Sequence, residues 1–235
     1  MSPSIWRLVL ALVLLPAGLS AQWSFQADLP SRFIWRGFDL YAENNPAFQP
    51  SATYAFGESG LSINFWGSAA LSGRDELGQW DEVDLTAVYA FAPASGLDAA
   101  VGFTHYGWYW ADDFSFEDAT TQEAFASVRF TQVALAPAVT VYYDFNLNSG
   151  LYASVDAGHA FRLADSAELV LAVATGYNRH FRIAGSGFSD ATLSACVPLT
   201  FGKIKFTPFV KYSRILMDEV NPAEYEAWGG ISVGF

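Results

Sequence analysis

From Gln22 to Phe235 the chain alternates apolar and polar side chains with period two, in twelve segments of about ten residues bounded by Gly, Pro, Asn, Asp or Ser. Residues i and i+2 share one face of a strand, so each segment presents one apolar and one polar face. The segments fall at about 23–36, 47–56, 61–71, 80–91, 97–110, 121–130, 137–146, 151–161, 168–178, 190–200, 204–215 and 225–235. The fourth sets Val83, Leu85, Ala87, Tyr89 and Phe91 against Glu82, Asp84 and Thr86. The first reads as a single strand, with Trp23, Phe25, Ala27, Leu29, Phe33 and Trp35 on one face and Gln26, Asp28, Arg32 and Arg36 on the other. The ninth is apolar on both faces and gives the weakest signal.

An open sheet of twelve such strands in water would expose either an apolar face or a long unpaired edge. Closure within a bilayer removes both, and ten residues match one tilted transmembrane strand. The expected fold is therefore all-β, a transmembrane antiparallel up-and-down barrel of twelve strands. Connection lengths give a separate check, because such a barrel alternates short turns with longer loops. Gly57 to Gly60, Ala92 to Gly96, Thr131 to Ala136, Arg162 to Ala167 and Phe201 to Lys203 form the short set. Gly37 to Pro46, Ser72 to Gln79, Ala111 to Thr120, Asn146 to Gly150, Arg179 to Ser189 and Leu216 to Glu224 form the long set, in which the Asn146 loop alone is short. Aromatic residues make up 17% of the chain, enough for girdles at two membrane interfaces. The competing soluble fold, a sandwich or lipocalin-like barrel, has the same alternation with its apolar faces turned inward.

Residues 1–21 carry one basic residue, Arg7, an apolar run from Leu8 to Leu15, and small residues Gly18, Ser20 and Ala21, the pattern of a cleaved secretory leader. The run is too short to span a bilayer as a helix, and no later stretch reaches about 18 apolar residues. The expected organisation is a leader over 1–21 and a barrel over 22–235, reaching a bacterial outer membrane through the periplasm. A terminal aromatic that ends an alternating strand resembles the signature read by the barrel assembly machinery, which makes Phe235 the expected contact for that partner. A formal charge of −12 argues against nucleic acid as a partner. The lone cysteine, Cys196, forms no intramolecular disulfide and no thiolate metal site by itself.

The stretch Ser31-Arg-Phe-Ile-Trp-Arg-Gly37, followed by Pro46-Ala-Phe-Gln49, resembles the opening motif of the TorF porin family. Gly60-Leu-Ser-Ile-Asn-Phe-Trp-Gly-Ser68, and Glu82-Val-Asp-Leu85 approaching Tyr89, continue the likeness over the first three to four strands. The resemblance implies an outer-membrane barrel with a pore function and supplies no binding residues.

Threading the polar faces up and down the barrel places Glu82, Asp84, Glu123 and Asp144 in the outer half of strands four, six and seven. Arg32, Arg36, Lys205 and Lys211 come from strands one and eleven, and Glu226 from strand twelve. Opposed acidic and basic walls would set a transverse field across a lumen, as a selectivity constriction does. The equal alternative is that these charges pair inside a barrel filled by Trp66, Trp108, Trp110, Phe125, Phe209 and Trp228. The leading function is passive diffusion of small hydrophilic solutes with a mild preference for cations or polar neutral molecules, without cofactor or metal. The alternatives are a non-conducting structural or adhesive barrel and, third, a lipid-modifying barrel enzyme. That enzyme would need His105, His159 or His180 beside a serine and a carboxylate. His105 and His159 fall on outward faces, and His180 sits between Arg179 and Arg182, a cluster expected to meet lipopolysaccharide phosphate or solvent. Asp112, Asp113, Glu117 and Asp118 read as a solvated acidic rim rather than a calcium loop. Outer-membrane lipid and lipopolysaccharide are the remaining expected partners.

Overall fold

The computed structural model describes residues 23–41, 45–73, 80–110, 120–146 and 149–235, and among them there is no helix. The leader and the acidic residues Asp112, Asp113, Glu117 and Asp118 lie outside the described residues. The strands are β1 (Trp23–Pro30), β2 (Ile34–Trp35), β3 (Phe38–Asp39), β4 (Ala47–Ala55), β5 (Leu61–Ala70), β6 (Trp80–Ala94), β7 (Leu97–Trp110) and β8 (Thr120–Phe130). They continue with β9 (Ala138–Asp144), β10 (Leu151–Ala164), β11 (Ala167–Arg179), β12 (Ser186–Cys196), β13 (Leu199–Phe201), β14 (Ile204–Ile215) and β15 (Tyr225–Gly234). β12 and β13 are two pieces of one spanning strand, both paired to β11 and β14 and interrupted at Val197 and Pro198. Proline has no N–H to give to the ladder, which accounts for a break there.

Every spanning strand pairs antiparallel with its sequence neighbours, and β1 pairs with both β4 and β15. The sheet is thus a closed barrel of twelve spanning strands. Closure is completed at the chain end, where Phe25 N–H donates to Phe235 O at 2.9 Å and Phe235 N–H to Phe25 O at 3.0 Å. Their rings stack at 5.3 Å.

The alternation sorts as the bilayer requires. Val83, Leu85, Val101, Phe103, Val141, Val155, Leu193 and Val210 are exposed on the outside, while Glu82, Asp84, Glu123 and Asp144 are buried inside. The soluble alternative, with apolar residues turned inward, is excluded by this arrangement. Small inward residues let large ones lie against the wall. A Cβ at Gly102 would collide with the Phe125 ring, and one at Gly176 with the hydroxyl of Tyr152 and a carboxylate oxygen of Asp190.

The first segment departs from its expected course. β1 ends at Pro30, and the chain then turns into the lumen as a small hairpin, β2 and β3, which pairs with itself and not with the wall. Its turn is Arg36-Gly37, with φ of +54° and +85° and Trp35 opposite Phe38. Positive φ at both central residues is the type I′ geometry that suits a twisted two-stranded ribbon. Phe33 and Trp35, expected on the lipid face, therefore lie inside the barrel, and the expected outer loop from Gly37 begins as the returning arm of this hairpin. A second departure is a bulge where Gly176 faces Asp190 but Tyr177 faces Phe188, which leaves Ser189 as the extra residue.

Candidate functional site: the lumen and its inward hairpin

The hairpin gives the barrel a hydrophobic core within the loop-side half of its lumen. Phe33 and Tyr41 pack with Ala47, Ala70 and Trp66, whereas Phe38 packs with Tyr152, Phe181 and Val220. Trp35 and Leu40 touch both clusters. Phe181 comes from the loop between β11 and β12 and is held by reciprocal bonds: Asn178 Nδ2 donates to its carbonyl, and its N–H donates to Asn178 Oδ1, each at 2.9 Å. Val220, in the loop between β14 and β15, sits over the turn, where a Cβ on Gly37 would come within 3.0 Å of its Cγ1. Asn221 Nδ2 also donates to Gly37 O at 3.3 Å.

One ion pair anchors the hairpin tip to the far wall. Arg36 donates from Nη1 and Nη2 to the two carboxylate oxygens of Glu123 at 2.6 and 2.8 Å, and both side chains are almost wholly buried. Tyr106 Oη donates to Glu123 Oε1 at 2.9 Å. The guanidinium carbon lies 4.3 Å from the ring centre of Trp35, 4.0 Å from Tyr142, 4.8 Å from Tyr152 and 4.9 Å from Phe181. A planar delocalised cation is suited to this mixture of forked carboxylate bonding and ring faces. Nearer the hairpin base, Arg32 pairs with Glu226, and Glu226 also accepts from Asn221 Nδ2 at 3.1 Å.

These contacts correct the expectation of opposed acidic and basic walls. Arg32 and Arg36 belong to no wall strand, because the chain leaves the wall at Pro30; Arg36 is carried across the lumen to Glu123 on β8, whereas Arg32 pairs with Glu226 on β15, the strand beside β1. Glu82, Asp84, Glu123 and Asp144 do share one side, with Glu82 opposite Trp108, Asp84 opposite Tyr106 and Glu123 opposite Asp144 in register. Asp144 accepts from Thr121 Oγ1 at 2.8 Å. Lys211 faces the lumen from β14, 5.6 Å from the Phe209 ring and 5.9 Å from Trp228. Lys205 stands apart from the others at the end of β14 near the short turns, opposite Gly234. Arg182, expected to point outward, instead overhangs the hairpin, 5.5 Å from the Phe38 ring and 5.9 Å from Trp35.

Two cavities flank the hairpin and share Phe33 as a boundary. The one nearer the short turns measures about 320 Å³ and is lined by Gln26, Asp28, Arg32, Cys196, Lys211 and Trp228 among others. The second, of about 230 Å³, lies against Glu82 and Asp84. The histidines are dispersed: His105 bonds Gln122 across the strand pair, His159 packs on Phe161, and His180 Nδ1 bonds the Ala184 carbonyl. Among the described residues no cluster of three or more His, Cys, Asp or Glu is placed to hold a metal ion.

No family model matches the chain, so the TorF likeness rests on the motif residues alone, and no curated protein matches it by sequence. Solved structures do match by shape. A KdgM porin superposes with a TM-score of 0.60 at 11% identity, over 90% of this chain and 98% of that one. A NanC porin gives 0.53 at 11% identity, over 89% and 97%. LpxR from Salmonella typhimurium gives 0.53 at 8% identity, over 90% and 99%. At such identities the likeness is one of fold alone: a closed twelve-stranded antiparallel barrel.

Proposed function

We propose that the chain is an outer-membrane channel for small hydrophilic solutes, closed at rest by the inward hairpin and with a mild preference for cations or polar neutral molecules. The observation that carries this reading is the lumen itself. Its wall stays polar and charged, cavities open on both sides of the hairpin, and the obstruction is a discrete segment held by a few named contacts. The acidic side formed by Glu82, Asp84, Glu123 and Asp144 supports cation preference, because a low-dielectric lumen magnifies fixed charge. The leader expected over 1–21 would direct the chain through the periplasm, Phe235 would engage the assembly machinery, and the outward apolar band would meet lipid and lipopolysaccharide. Planar-bilayer recording of refolded protein tests the proposal. Conductance steps whose reversal potential in a salt gradient lies on the cation side are expected, and an absence of steps at any voltage removes the pore reading.

A second reading, a structural barrel that never conducts, is favoured by the completeness of the Arg36 clamp, in which one guanidinium meets two carboxylate oxygens and four rings. The same recordings separate the two.

A further inference from the structure

The smaller cavity contains an unmet demand. Asp84 is 92% buried, lines that cavity, and its Oδ1 has no hydrogen-bond partner. A buried carboxylate oxygen without a donor costs free energy, so such a group calls for a partner that arrives from elsewhere. Glu82, two residues along β6 and also buried, lines the same space. The rest of the lining is four aromatic rings with Asn64, Thr86 and Thr104: Phe33 packs with Trp66 at 5.6 Å and Trp35 with Tyr106 at 5.9 Å.

The chemistry of this lining selects among ligands. Two carboxyl groups side by side favour a cation, and the orphan Oδ1 suits one that also carries hydrogen-bond donors. Ring faces attract cations through their quadrupoles and accept apolar groups, and the two threonine hydroxyls of the lining are already bonded to each other at 3.0 Å. Arg36 and Arg182 show that this lumen already holds guanidinium groups between acids and rings. Neither supplies the missing donor, since Arg36 is spent on Glu123 and Oδ1 remains unpartnered. We propose that the cavity bounded by Glu82, Asp84, Trp35 and Trp66 is a binding site for a small organic ammonium ion with N–H donors and a short apolar body. Such a site does not depend on conduction, because it needs only the folded lumen.

The test is a ligand-observed NMR titration of refolded protein in detergent with butylammonium chloride, run beside tetramethylammonium chloride and sodium chloride at equal ionic strength. Butylammonium should bind saturably. Tetramethylammonium, which has charge and methyl groups but no N–H, should bind at least about tenfold more weakly, the loss expected for a missing charge-assisted hydrogen bond. Asp84→Asn keeps the shape and should weaken butylammonium by about tenfold or more, and Glu82→Gln by a smaller factor. Heat-modifiable migration on gels confirms that each variant is folded; if Asp84→Asn does not fold, Glu82→Gln carries the test. Non-saturable binding, or binding unchanged in the folded carboxamide variants, overturns the proposal. Saturable binding by a protein that shows no conductance upholds the site and removes only the pore reading.

Discussion

Replacing Arg36 by alanine removes the guanidinium that meets Glu123, a side chain with essentially no solvent exposure. The stranded carboxylate keeps the Tyr106 hydroxyl as a donor but loses two charged ones. Breaking a buried pair by removing one partner costs about 3–5 kcal/mol. Because the pair joins the hairpin to the wall, that cost falls on the docked state and leaves the strand ladder intact. At about 1.4 kcal/mol per decade, the undocked fraction should rise by roughly two to three and a half orders of magnitude. Single-channel recording reads this as an increase in open fraction at low voltage, with the barrel still folded. The double variant Arg36→Ala/Glu123→Gln should open less than Arg36→Ala alone, since the amide is neutral and no charge is left behind. An open fraction in folded Arg36→Ala within threefold of the parent would refute the reasoning, as would a double variant that opens as much as the single one.

Other consequences can be measured independently. Gly37→Val places a β-branched residue at φ +85° with its Cβ against Val220 and Asp190, and should raise the open fraction by the equivalent of about 1–3 kcal/mol while the far-ultraviolet dichroism stays β. Gly176→Ala should displace Tyr152 from Asp190, a bond of 3.2 Å, and lower unfolding stability by about 1–3 kcal/mol in a urea titration. Cys196 lines the cavity on the short-turn side of the hairpin, so a charged methanethiosulfonate reagent should label it from that side much faster than from the loop side; equal rates from both sides would count against closure. Phe235→Ala should keep the terminal backbone bonds to Phe25 but lose their ring stack, slowing refolding into detergent relative to the parent.

The barrel was legible because a bilayer outside and water inside impose a two-sided pattern on every strand. Segments such as 61–71, 97–110 and 204–215 match β5, β7 and β14 to within a residue. The ninth, apolar on both faces, still became β11, because its inward positions are the small residues Ala172, Ala174 and Gly176. The acidic side of the lumen followed from the same alternation, since Glu82, Asp84, Glu123 and Asp144 occupy inward positions of well-paired strands. The hairpin did not follow, because Phe33, Trp35 and Arg36 resume the alternation of β1 in phase after Pro30 and Ser31. Its turn uses Arg-Gly in place of the Asn-Gly or Asp-Gly that usually marks such a turn. The available signal was Pro30, which can end a strand's pairing, followed by Gly37 one ribbon length later. Arg182 was misplaced for a related reason: strand periodicity says nothing about which loop residues fold back over a lumen.

In the proposed function, residues 32–41 close an otherwise open barrel. Single-channel recording of the chain from Gln22, beside a variant in which residues 32–41 are replaced by a short Gly-Ser link, tests that claim directly. Brief, rare steps are expected for the parent, and steady, larger steps for the variant. The same steps in both would show that the hairpin is not the closure, and none in either would show that the lumen does not conduct.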